Sequence, residues 1–61
     1  MAEILVVDDE LSMRQFLKIL LEKEGHAVST AADGIEALDL VAQQSFDLII
    51  SDIRMPGMSG L

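Results

Sequence analysis

The sequence predicts an α/β fold of βαβαβ order, a doubly wound parallel sheet with its strands in the spatial order 2-1-3. Three observations predict it. Ile4 to Val7 and Leu48 to Ile50 are uninterrupted apolar runs, the pattern of strands covered on both faces, not of a half-wet sheet. Two stripes of apolar residues at helical spacing lie between those runs. Between the stripes, Val28 is flanked by Ser29 and Thr30, which suits an exposed edge strand.

Taken in order, the first strand is expected at about residues 4–7 and ends in the acidic run Asp8-Asp9-Glu10. Apolar residues then fall at Met13, Phe16, Leu17, Leu20 and Leu21, with Arg14, Lys18, Glu22 and Lys23 assigned to the wet side. Gly25 supplies a left-handed C-terminal cap, so the first helix is expected over about residues 12–24. Residues 26–31 form the outer strand. Asp33 with Glu36 three positions later is a capping-box pattern ahead of the stripe Ile35, Leu38, Val41 and Ala42, giving a second helix over about residues 34–44. Ser45-Phe46-Asp47 turns the chain into the third strand, about residues 47–51. Right-handed crossovers, with the weak strand at the edge, give the order 2-1-3 and place the helices on opposite faces.

With 61 residues the chain forms one small domain, and a domain of this length buries only about 60% of the surface its unfolded chain exposes. There is no cysteine, hence no disulfide framework and no cysteine zinc site, and the lone His26 cannot build one. The apolar runs are far shorter than a membrane span, and Met1-Ala2-Glu3 lacks the basic flank and apolar core of a signal peptide, so a soluble cytoplasmic protein without membrane contact is expected. The 11 acidic and 4 basic residues leave a charge of −7, which disfavours direct nucleic-acid binding. A hydrophobic content of 51% with a mean hydropathy of +0.41 is high for so short a chain, and some of that surface is expected to meet a partner.

Asp52 follows the third apolar run and precedes the turn residues Pro56 and Gly57, which puts it at the strand's C-terminal edge. In the order 2-1-3 the connection reverses direction between strands 1 and 3, and Asp8, Asp9 and Asp52 meet in the crevice at that switch point. Two carboxylates about 4 Å apart repel by roughly 4 kcal/mol at an effective dielectric near 20, so ionised acids gathered there call for a cation. Carboxylate oxygens with a backbone carbonyl and waters suit Mg²⁺. An acid at a helix start can also be a plain cap, but the convergence of three favours the metal reading. Met13, Met55 and Met58 read as packing or loop residues, and His26 as structural or surface.

The string Ile4 to Glu10, followed by Asp52-Ile53-Arg54-Met55-Pro56-Gly57-Met58-Ser59-Gly60-Leu61, resembles the receiver domain of two-component response regulators, and the resemblance covers the whole chain. It implies a flavodoxin-like fold and a signalling phosphoacceptor, not an enzyme. By that resemblance Asp52 accepts a phosphoryl group from a phosphorylated histidine of a sensor histidine kinase, or from a small phosphodonor. The same resemblance implies that Asp9 would bind Mg²⁺ directly, that Asp8 would act mostly through water, and that Arg54 would lend its backbone carbonyl. The wording Asp52 to Met58 also resembles receivers joined to ATPase-containing activators that work with the alternative sigma factor, which implies transcription regulation.

A complete receiver of this kind has further strands and helices carrying a hydroxyl residue and a lysine, and Lys18 and Lys23, on the first helix, do not match that lysine. The chain therefore reads as a truncated receiver, the N-terminal half of a flavodoxin-like sheet, with its third strand at an open edge. It is expected to form a homodimer through that edge or by exchange of elements. The alternative is an engineered or excised half-domain that folds and dimerises without phosphotransfer. An aspartate-nucleophile phosphatase is disfavoured because Arg54 stands where that pattern needs a second Asp, and a dinucleotide site because the first βα turn lacks its glycines.

Overall fold

A computed structural model describes residues 1–51 of the chain. Five elements follow one another: β1 (Glu3–Val7), α1 (Leu11–Lys23), β2 (Ala27–Ala31), α2 (Gly34–Gln43) and β3 (Leu48–Ser51). Their bounds differ from the sequence expectation by at most one residue at either end. The sheet is parallel throughout, in the order β2-β1-β3. Glu3 to Val7 pair with Ala27 to Ala31 on one side, and Ile4 to Val7 pair with Leu48 to Ser51 on the other.

The core is built on β1, because it alone is flanked by a strand on each side and faced by both helices. Ile4, Leu5, Val6 and Val7 are all buried. Leu5 and Val7 cluster with Ala31, and Ala37, Leu40 and Phe46 pack against that cluster. Ile4 and Val6 point to the opposite face, since side chains alternate along a strand. The right-handed crossovers place α1 there, lying against β1 and β2.

The helix ends obey local chemistry. Gly25 takes φ 92°, the left-handed conformation expected of it. Its N–H donates to the carbonyl of Glu22 at 3.0 Å while that of His26 donates to Leu21 at 3.2 Å, the paired bonds of a Schellman stop. At the start of α2, Asp33 Oδ1 accepts from the Glu36 N–H at 2.8 Å. Glu36 Oε1 in turn accepts from the Ala32 N–H at 2.6 Å, one residue before the position that a regular capping box uses. His26 is structural, its Nδ1 accepting from the Ala2 N–H at 3.0 Å.

β3 stands at the open edge expected of it, with its apolar faces uncovered: Leu48 and Ile49 are 51% and 50% exposed, and among the described residues neither helix reaches this strand. Two expectations about faces are corrected. In α1 the inward residues are Arg14, Leu17 and Leu21, whereas Met13, Phe16 and Leu20 of the expected stripe are exposed. A stripe that wide exceeds what the two strands beneath the helix can cover, so Arg14 takes part of the inner face. In α2, Ile35, Leu38, Val41 and Ala42 of the expected stripe are exposed, and Gly34, Ala37 and Leu40 are the partly buried residues. The small residues there let the helix lie close over β1 and β2.

At the N-terminal end of the strands, Asp47 and Glu3 hold each other. The Asp47 N–H donates to the Glu3 carbonyl at 2.7 Å, and Asp47 Oδ2 accepts from the Glu3 N–H at 2.8 Å.

Candidate functional site

The candidate site lies at the opposite end of the same strands. Val7 and Ser51 are register partners on neighbouring parallel strands, which sit about 4.8 Å apart. Asp8 is the next residue after one partner and Asp52 the next after the other. Asp52 and Arg54 lie outside the described residues, so Asp8 and Asp9 are the two expected site residues the structure describes.

Asp8 and Asp9 have different surroundings despite being adjacent. Asp8 is 4% exposed, whereas Asp9 is exposed. Main-chain and side-chain bonds hold Asp8 from three directions. Its N–H donates to the Ala31 carbonyl at 3.1 Å, continuing the ladder between β1 and β2. Its Oδ1 accepts from the Glu10 N–H at 2.9 Å, closing a turn at the head of α1. Its carbonyl accepts from Arg14 Nη1 at 2.7 Å.

The cap that sequence reasoning had weighed for these acids takes a modified form. Glu10 stands at the N-cap of α1 and makes no side-chain cap bond. Asp8 supports that turn from two residues upstream, so capping accounts for one oxygen of Asp8 and for none of Asp9. The two carboxylates offer hard oxygen donors at the mouth of the switch point, and this donor chemistry fits Mg²⁺. Among the described residues no group of three or more potential ligands stands together, the third expected acid being Asp52.

Arg14 is the site residue that sequence reasoning missed. Pattern counting puts it on the wet side of α1, yet it is half-buried and bonded to the peptide that joins the two acids. A usable signal was present: a cation one turn into a helix that starts from an acidic loop opposes the helix dipole unless something nearby holds it.

Comparison with known proteins adds an independent line. The family model described as the response regulator receiver domain matches residues 4–61. The autoinducer sensor kinase/phosphatase CqsS of Vibrio cholerae is 50% identical over 58 residues, 95% of this chain and 8% of that protein. Sporulation initiation phosphotransferase F of Bacillus subtilis is 41% identical over 59 residues, 97% of this chain and 48% of its own length. Among solved structures, a chemotaxis response regulator of Vibrio cholerae superposes with a TM-score of 0.87 at 50% identity, over 98% of this chain and 50% of that one. The response regulator TrrA of Thermotoga maritima, solved in complex with Mg²⁺ and BeF, gives a TM-score of 0.83 at 49% identity, over 93% of this chain and 50% of that one. The chain thus spans about half the length of the solved relatives it matches.

Proposed function

The chain belongs to the response regulator receiver domain family, and from that membership we propose that it is the phosphoacceptor of a two-component signalling pathway, with Asp52 as the accepting residue. A carboxylate oxygen of Asp52 attacks the phosphorus of a phosphohistidine on a sensor kinase. The P–N bond breaks, its electron pair returns to the imidazole nitrogen, and an acyl phosphate remains on Asp52. Asp8, Asp9, Asp52 and the backbone carbonyl of Arg54 are the residues that would hold Mg²⁺. When bound, Mg²⁺ supplies positive charge against the phosphoryl oxygens. The domain is a signalling acceptor in the cytoplasm and not an enzyme in its own right, and its output is transcription regulation through another segment, since a charge of −7 opposes direct contact with nucleic acid.

The observation that supports this reading is the pairing of Val7 with Ser51, the residues that immediately precede Asp8 and Asp52 in the sequence. The test is incubation of the protein with a small phosphodonor and Mg²⁺, followed by intact-mass measurement. One hydroxylamine-labile phosphoryl adduct is expected, absent from Asp52→Asn. An unmodified protein, or an equal adduct on the Asn variant, would overturn the assignment.

The exposure of Leu48 and Ile49 on β3 favours a second reading, in which the chain pairs with a copy of itself through that strand. It is compatible with the first reading, or stands alone if phosphotransfer is lacking. Sedimentation at micromolar concentration separates the cases: a dimer supports pairing, and a monomer throughout removes it.

A further inference from the structure

We propose that Arg14 is a positioning residue for the acidic pair, aiming the carboxylate of Asp9 at the cation that the pair would hold. The inference rests on the reading of Asp8 and Asp9 as metal ligands, and the geometry belongs to the chain itself. Arg14 Nη1 donates to the Asp8 carbonyl at 2.7 Å, within the range of a charge-assisted bond. That carbonyl shares one rigid plane with the N–H of Asp9 and with both flanking Cα atoms. Pinning the oxygen therefore fixes the direction in which Asp9 leaves the backbone. Of the other contacts of Asp8, the Ala31 bond holds the preceding peptide, and the Glu10 bond ties the Asp8 side chain to the peptide that follows Asp9, so the Arg14 bond is the one that holds the peptide between the two acids.

The helix itself does not favour Arg14 where it stands. It is the fourth residue of α1, near the positive end of the helix dipole, where a cation is disfavoured. The first turn contains no acidic residue, the acids Asp8, Asp9 and Glu10 lying just upstream of it, and the N-cap Glu10 makes no side-chain bond. Holding a guanidinium half-buried also costs side-chain freedom. The bond to the Asp8 carbonyl offsets these costs and gives the side chain its task.

A purely electrostatic role makes the opposite prediction. A guanidinium beside two carboxylates weakens their field, so its removal alone would strengthen binding of a divalent cation. Loss of positioning weakens binding, as loss of a partner outside the coordination shell generally does. Calorimetric titration of the protein with Mg²⁺ decides between them. Arg14→Met, which keeps much of the apolar stem, is expected to bind about tenfold more weakly, and Arg14→Lys, which restores a cationic donor, to recover part of the loss. In metal-free protein the amide resonances of Asp9 and Glu10 are expected to move in Arg14→Met while that of Leu40 stays in place. Equal or tighter Mg²⁺ binding by a folded Arg14→Met, or an unchanged Asp9 amide, would overturn the positioning role. Wild-type protein that binds no Mg²⁺ would instead overturn the metal reading beneath it, and the amide comparison would still report on Arg14.

Discussion

Gly25 shows how much one position can set. Its φ of 92° carries the chain out of α1, and a Cβ placed there would meet nothing within 4 Å. A substitution is therefore opposed by the backbone conformation alone. Gly25→Ala is expected to cost about 1–2 kcal/mol in urea unfolding, the penalty for a left-handed residue that carries a side chain. This glycine was legible in the sequence because the requirement is local. Asp8 and Asp9 were legible for a related reason, since acids that follow a continuous apolar strand mark its C-terminal end. Arg14 left only the indirect trace of a cation near the positive end of a helix dipole, because its partner is the backbone of a loop six positions upstream in the chain. Helical periodicity registers side-chain type and is blind to carbonyls.

Among the elements, α2 separates what pattern reading delivers from what it cannot. Its position and its cap were readable from Asp33, Glu36 and the spacing of apolar residues. Its orientation was not. Ile35 and Leu38 dominate any count of hydrophobicity, yet they are 82% and 72% exposed, while Leu40 packs on Leu5, Val7 and Ala31. Both faces of the helix are apolar, so periodicity alone has two solutions. Paired truncations distinguish them. Leu40→Ala is expected to lower unfolding stability by about 1–2 kcal/mol, and Leu38→Ala to stay within about 0.5 kcal/mol. A large loss from Leu38→Ala would show that a further surface covers the outer face in solution.

At the scale of the molecule, β1 and β3 carry nearly the same kind of apolar run and meet different fates. Ile4 to Val7 are enclosed, whereas Leu48 and Ile49 remain half exposed. The difference lies in what flanks each strand, which is a property of the sheet and not of either run. The order β2-β1-β3 followed from the rule of right-handed crossovers, and with it the neighbourhood of Val7 and Ser51. Where β3 is the surface by which copies pair, Ile49→Lys is expected to convert a sedimenting dimer to monomer, because a charge on an edge strand blocks edge-to-edge addition. A dimer that persists in Ile49→Lys would move the contact elsewhere, for example to the exposed Phe16 and Ile19 of α1.

The reciprocal bonds between Glu3 and Asp47 have a consequence at the far end of the sheet. In a strand, a slip of one residue reverses which way every side chain points. Glu3 and Asp47 act as the zero mark of a ruler: they clamp the two strands at their start, and four paired steps later the scale reads Val7 against Ser51. The alignment of Val7 with Ser51 is thus metered from the opposite end of the two strands. The α2–β3 connection can vary in length only if that zero mark is kept.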